Sequence, residues 1–85
     1  MPEISRFLGI VIAMYYSEHG VAHFHATYGE SEASIEVETD VVHGELPPRA
    51  LRLTLEWAAL HRQELLDNWI RARAGEPLTP IAPLE

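Results

Sequence analysis

Three of the five histidines of this chain lie within seven residues, at positions 19, 23 and 25. If residues 22–28 form a β-strand, its side chains alternate, so His23 and His25 share one face and Phe24 lies on the other. The chain contains no cysteine. Histidine, carboxylate and tyrosine side chains are therefore the candidate ligands and catalysts.

A divalent metal site is the first interpretation of this segment. His23 and His25 on the strand and His19 on the preceding loop supply three nitrogen ligands for an ion such as Zn²⁺. Glu36, expected on the neighbouring strand, is a fourth ligand or the acceptor that orients His23.

Two other interpretations remain open. In a metal-free acid–base site, Glu36 holds His23 in one tautomer, Tyr15 donates a hydrogen bond, and His25 completes the catalytic set. Alternatively, the histidines and carboxylates form a solvated sheet face whose cross-strand pairs each contribute some tenths of a kcal/mol, roughly, to stability.

The charge of the chain narrows the classes of partner. Thirteen acidic and six basic residues give a net charge of −7, and all six basic residues are arginines. A nucleic-acid partner is disfavoured because phosphate binding usually needs a basic patch. No signal peptide is recognisable, and the longest apolar run, residues 8–14, is too short to span a bilayer. We expect a soluble cytoplasmic protein that does not contact a membrane.

Four strands are predicted in the first half of the chain. Residues 4–16 are apolar on both faces and predict one central strand, followed by the histidine-rich strand 22–28. Residues 32–38 alternate strictly, with Ala33, Ile35 and Val37 facing the core. Residues 41–45 form the fourth strand.

The predicted strand register aligns the candidate site residues. A turn at residues 29–30 pairs Phe24 with Ile35 and places His23 opposite Glu36. Two-residue turns and core matching predict two rows of side chains on the face away from the helices. One row contains Tyr15, His23, Glu36 and His43, and the other contains Ala13, His25, Ser34 and Glu45.

The second half of the chain predicts helices. Pro47 and Pro48 suit a helix start, and no glycine or proline follows until Gly75. An apolar stripe of Leu53, Trp57 and Leu60 is predicted to face the sheet. A continuous helix would be longer than the strands on which it packs, so a bend or break is expected near residues 61–64.

Together these elements predict one α+β domain spanning residues 1–85. A four-stranded antiparallel meander (1–46) packs one face against a long or bent helix pair (47–75), and a proline-rich extended tail follows (76–85). Leu78, Ile81 and Leu84 on this tail suit a groove on a neighbouring subunit. We therefore predict a homodimer or a tail-exchanged assembly.

The sequence also resembles a family of short bacterial proteins known as the domain of unknown function DUF4160. The resemblance covers nearly the whole chain: Ile4-Ser5-Arg6-Phe7, Gly9-Ile10, Met14-Tyr15-Tyr16, the segment 19–25, Gly44-Glu45-Leu46-Pro47, Trp57, His61, Glu64-Leu65-Leu66, Trp69 and Gly75. It implies pairing with a second small protein encoded by a neighbouring gene, as in a toxin–antitoxin operon. The alternative is a small metal-binding hydrolase or ribonuclease-like enzyme that uses His23, His25 and Glu36.

Overall fold

The described part of the chain folds into five antiparallel strands followed by two helices. The computed structural model describes residues 2–16 and 18–85. The elements are β1 (Glu3–Phe7), β2 (Ile10–Ala13), β3 (His23–Tyr28), β4 (Ser31–Glu36), β5 (Val42–Glu45), α1 (Pro48–Leu60) and α2 (Arg62–Arg73). The sheet order is β1-β2-β3-β4-β5. The predicted α+β meander is confirmed, with five strands in place of four.

The additional strand arises because the predicted first strand, residues 4–16, is a hairpin. Leu8 and Gly9 have φ angles of 49° and 83° and form the turn, so that Phe7 pairs with Ile10. Glycine adopts a positive φ without steric cost. Two central residues with positive φ match the twist of a tight two-residue hairpin. The prediction of one continuous strand is therefore wrong.

The register around β3 follows the predicted core matching. His23 lies opposite Glu36, Phe24 opposite Ile35, and Ala13 opposite His25. Phe24 and Ile35 are fully buried. Matching of core side chains across the sheet thus places both histidines of β3 at the predicted positions.

The pairing of β4 with β5 differs from the predicted register by two residues. Ser34 lies opposite His43, whereas the two-residue turn predicted at residues 39–40 places Glu36 there. The observed turn is longer and is closed by the N–H of Glu36, which donates to the carbonyl of Val41 at 2.9 Å. A shift of two keeps every side chain on its predicted face. The row through Ser34 therefore ends at His43 and not at Glu45.

The helical half is interrupted at His61, within the predicted range. His61 has φ −122° and ψ 25°, so it belongs to neither helix. Gly75, with φ 73°, lies just beyond the end of α2, as the sequence predicts. Within the part of the chain that the structure describes, neither helix has the length and apolarity needed to cross a membrane.

The buried side of the helices differs in part from the predicted stripe. Trp57 is fully buried, but Leu60 is 68% exposed. The buried residues are Ala50, Thr54, Trp57 and Ala58 in α1 and Leu65, Asn68, Trp69 and Ala72 in α2. Small residues on this side let α1 approach the sheet, and Leu60, the last residue of α1, lies outside that contact.

Trp57 joins the helices to the sheet. Its ring centroid lies 5.4 Å from that of Phe7 and 5.9 Å from that of Phe24. Aromatic rings at these separations bury a large apolar area. One face of the sheet is therefore covered by the helices.

The C-terminal tail contains no helix or strand, as predicted, and it packs on its own chain. The N–H of Ile81 donates to the carbonyl of Ile4 at 2.8 Å, beside the outer edge of β1. The indole N–H of Trp57 donates to the carbonyl of Ala82 at 2.8 Å. The groove that the tail fills thus belongs to the same chain.

Candidate metal centre

Strand β3 presents two imidazoles on one side of the sheet. The His23 and His25 side chains are mostly buried, with 16% and 19% of their surface exposed. Phe24 and Ala26, which alternate with them, are fully buried in the core. The alternation predicted for this strand is confirmed, and it holds the two rings close together, with their centroids 5.3 Å apart.

Glu18 brings a carboxylate to the two imidazoles. Glu18 lies between β2 and β3 in the sequence, and His25 Nε2 donates a hydrogen bond to its Oε1. The other oxygen, Oε2, lies 3.4 Å from His23 Nε2. One ligand atom from each of the three side chains lies within 4.8 Å of the other two. Glu18, His23 and His25 therefore form a group with the composition of a metal site.

The backbone fixes the orientation of His23. Its Nδ1 lies 2.8 Å from the carbonyl oxygen of Val21. Because a carbonyl only accepts hydrogen bonds, Nδ1 carries the proton and donates it. Once a bound cation displaces the proton from Nε2, the lone pair of that nitrogen is available on the side facing Glu18. Metal-binding histidines are commonly oriented by a hydrogen bond of this kind.

The electrostatics of the group favour an ionised Glu18. Partial burial raises the pKa of the Glu18 carboxyl, but the hydrogen bond and charge of His25, together with those of His23, outweigh it. The net effect is a pKa below the usual value. An ionised carboxylate beside two imidazoles is the form that binds a cation.

Aromatic side chains border both imidazoles. The Tyr15 ring meets the edge of His25 at 4.7 Å between centroids, and Trp69 lies 4.9 Å from His23. The sequence predicts Tyr15 beside His23, whereas its ring contact is with His25. Trp69 belongs to α2, so the expectation that the histidine face lies away from both helices is wrong at His23.

Glu36 lies opposite His23 as predicted, but its hydrogen bonds go elsewhere. His43 Nε2 donates to its Oε2 at 2.9 Å, and the Thr39 hydroxyl donates to its Oε1 at 2.8 Å. The hydrogen bond from His43, followed by that from Thr39, lowers the pKa of the Glu36 carboxyl. Glu36 and His43 are thus a separate pair, outside the group formed by Glu18.

His19 is exposed and is not among the three clustered residues. The preceding residue, Glu18, lies beside His23 and His25, where the sequence predicts His19. The feature of the sequence that points to Glu18 is a carboxylate next to a histidine in a short loop. Strand alternation says nothing about which of two adjacent loop residues turns inward.

Two histidines and one carboxylate leave at least one position open on a tetrahedral ion. Zinc sites with three protein ligands are characteristically catalytic, with water or substrate in the fourth position. The fold and the site thus define a small α+β protein with a candidate open metal centre.

The sequence model of the family described as "Domain of unknown function (DUF4160)" matches residues 9–70. This stretch is most of the chain and includes Glu18, His23 and His25. The chain therefore belongs to that family, as the resemblance predicts. No curated protein and no solved structure matches it.

Proposed function

We propose that this protein binds a divalent metal ion through Glu18, His23 and His25 and uses the open coordination position to activate water for hydrolysis. The observation that carries the proposal is the convergence of two imidazoles and one carboxylate, with their ligand atoms within 4.8 Å of one another. Imidazole and carboxylate ligands together suit Zn²⁺ and its first-row neighbours. A bound ion of this kind lowers the pKa of its water to about 7.

Two features of the site support this proposal. The carbonyl of Val21 holds His23 with Nε2 directed toward Glu18. Both histidine side chains are mostly buried, which restricts their rings, while the exposed part of each leaves a path for an ion. Preorganised ligands bind an ion more tightly because fewer side-chain rotamers must be fixed.

Calorimetry on the chelator-treated full chain tests metal binding. We expect Zn²⁺, Ni²⁺ or Mn²⁺ to bind with a dissociation constant tighter than about 0.1 mM, which corresponds to more than about 5 kcal/mol of binding free energy. Weaker binding by all three ions would leave a polar sheet face in place of a metal centre.

Single substitutions then identify the ligands. Glu18→Gln, His23→Gln and His25→Gln should each weaken binding by at least about tenfold. His19→Gln is the matched control because His19 adjoins Glu18 but lies outside the cluster. A loss of affinity in His19→Gln with none in Glu18→Gln would favour the three-histidine set over the set proposed here.

We also propose a second role, as a toxin–antitoxin-type component that acts through a protein encoded by a neighbouring gene. Its support is apolar exposure beside the candidate site: Tyr16 and Val21, on either side of Glu18 in sequence, are 43% and 62% exposed. Exposed apolar side chains next to a functional site suit a protein interface.

Binding of the purified neighbouring gene product at micromolar concentration tests this role. Val21→Glu should weaken the complex, and Leu8→Glu is the control because Leu8 is similarly exposed but lies in the β1–β2 turn. Absence of binding to the wild-type chain would reject the partner. A growth assay with His23→Ala and His25→Ala separates the roles, since only the catalytic role requires both imidazoles.

A further inference from the structure

We infer that the ligand of the proposed metal centre is a small molecule carrying a phosphate or carboxylate group, held between the metal ion and Arg73. This inference deepens the proposed function and rests on it. It identifies the chemical class of the ligand and a residue that positions it.

A cleft adjoins the metal-binding group. Its volume is about 300 Å³, and its walls are formed by Tyr16, Glu18, His19 and Arg73. Glu18 belongs both to this cleft and to the group with His23 and His25. A molecule in the cleft therefore adjoins Glu18, one of the three residues proposed to hold the ion. Small-molecule sites have volumes from about 300 Å³ upward.

Arg73 supplies a guanidinium group to the wall of this cleft. Among the residues that the structure describes, Arg6 pairs with Glu3, Arg62 contacts the Val37 carbonyl and Asp40, and Arg71 donates to Asn68. Arg73 has no such hydrogen bond or ion pair within this described part. Arg49 and Arg52 likewise have no acidic partner among the described residues, but neither of them lines the cleft. The position of Arg73 in the cleft wall therefore distinguishes it.

The donors of the cleft favour an oxyanion. A guanidinium group offers paired N–H donors whose spacing matches two oxygens of a phosphate or carboxylate. The Tyr16 hydroxyl and the His19 ring also offer hydrogen-bond donors. Glu18 is the acidic wall of the cleft, and its charge is directed to His23 and His25.

The size of the cleft and the overall charge favour a small anion over a polymer. A nucleic acid needs several basic contacts along its backbone, and the chain has a net charge of −7. The positive charges available to attract an anion here are those of one arginine and one bound metal ion. One phosphate or carboxylate group satisfies both of them.

Calorimetry and visible absorption on the Co²⁺-loaded full chain test the inference, with phenylphosphonate as the probe. We expect phenylphosphonate to bind the loaded chain at least about tenfold more tightly than the metal-free chain and to change the Co²⁺ absorption bands. Benzyl alcohol, which has a similar ring but no oxyanion, should not bind.

Substitution of Arg73 isolates its contribution. Arg73→Gln should weaken phenylphosphonate binding by at least about tenfold while Co²⁺ affinity stays at the wild-type value. Arg73→Lys, which keeps the charge but loses the paired donors, should retain part of the binding. Arg49→Gln is the matched control because Arg49 is an exposed helical arginine outside the cleft.

The outcomes separate this inference from the proposed function. Failure of Co²⁺ itself to bind would reject the metal centre. Normal Co²⁺ binding without phenylphosphonate binding, or with equal binding by Arg73→Gln, would overturn only the assignment of Arg73 and an oxyanion. Equal binding by the loaded and metal-free chains would show that the anion does not bridge to the metal and would likewise overturn it.

Discussion

The Glu36 carboxyl gives the sheet a pH-dependent contact. The hydrogen bond from His43, followed by that from Thr39, places its pKa in the folded protein below the usual value of 4.5. The unfolded chain therefore takes up this proton at higher pH than the folded chain. The contact stabilises the fold fully above about pH 4.5 and is lost as the pH falls through the folded pKa.

Thermal unfolding of wild type and Glu36→Gln between about pH 3 and pH 6 checks this contact. We expect the wild type to have the higher midpoint near pH 6 and the difference to shrink toward pH 3. Glu38→Gln is the control because Glu38 is exposed and has no hydrogen bond among the described residues. A difference between wild type and Glu36→Gln that does not change with pH would contradict the lowered pKa.

Gly44 is required by a close backbone approach between β4 and β5. Its φ is 105°, and a Cβ atom at this position would lie 2.7 Å from the carbonyl oxygen of Glu32 and 3.0 Å from Ala33 Cα. We expect Gly44→Ala to lower the free energy of unfolding by about 2–4 kcal/mol, since it adds both backbone strain and a clash.

Gly20→Ala is the control for the clash. Gly20 has a similar φ of 90°, but an added Cβ would meet no atom within 4 Å. Its substitution should therefore cost only the backbone strain, about 1–2 kcal/mol. Equal losses for the two variants in urea denaturation would show that the contact with Glu32 can relax.

At the scale of residues, the sequence predicts side-chain positions where covalent geometry alone sets them. Strand alternation placed His23 and His25 together because successive Cβ atoms point to opposite faces. Glu18 was missed because its position depends on the path of a loop, including the positive φ of Gly20. No periodicity encodes that path, so residue spacing does not predict Glu18 as a candidate ligand.

At the scale of elements, the side chain of Asn68 in α2 makes two hydrogen bonds to the C-terminal tail. Asn68 is fully buried; its Nδ2 donates to the Thr79 carbonyl at 2.8 Å, and its Oδ1 accepts from the Thr79 N–H at 2.9 Å. Asn68→Ala leaves both backbone groups without this partner. We expect a loss of about 2–4 kcal/mol in unfolding free energy and faster proteolysis within residues 76–85.

Urea denaturation and limited proteolysis measure these two effects. Gln63→Ala is the matched control: it also removes a side-chain hydrogen bond from α2, the 3.0 Å contact with Asp67, but that contact is exposed and does not touch the tail. Wild-type protease resistance of the tail in Asn68→Ala would show that Ile81 and the Trp57–Ala82 hydrogen bond suffice to hold it.

The elements themselves were predicted unevenly, for physical reasons. The helix break at His61 followed from comparing the length of a continuous helix with the length of the strands. The β1–β2 hairpin was missed because apolar residues continue on both sides of Gly9, and period-two patterning cannot separate one buried strand from two short ones. The predicted β4–β5 register is wrong because the turn between these strands is longer than the two residues 39–40.

At the scale of the whole molecule, the tail completes the core. An 85-residue chain buries only roughly 60–65% of its unfolded surface, so its stability is marginal. The tail contributes buried Ile81 and covers the edge of β1 at Ile4. Exposed strand edges promote unwanted pairing, and the tail therefore protects the sheet while it adds apolar contacts.

The same contacts permit the tail-exchanged homodimer that we predict. If the tail of each chain docks on its partner, the hydrogen bonds of Asn68, Trp57 and Ile4 are all kept, and only the connection after α2 changes. Gly75 controls that connection. Its φ of 73° turns the chain back, and the N–H of Glu76 donates to the Arg71 carbonyl at 2.8 Å in this turn.

Gly75→Val should therefore favour exchange. A β-branched residue disfavours positive φ and prefers an extended backbone, which would carry the tail away from its own chain. We expect light scattering to show a larger dimer fraction for Gly75→Val than for wild type at equal concentration. Gly75→Asn is the control, because asparagine tolerates the left-handed conformation. If Gly75→Val scatters as a monomer at every accessible concentration, the tail stays on its own chain and the tail-exchanged homodimer is rejected.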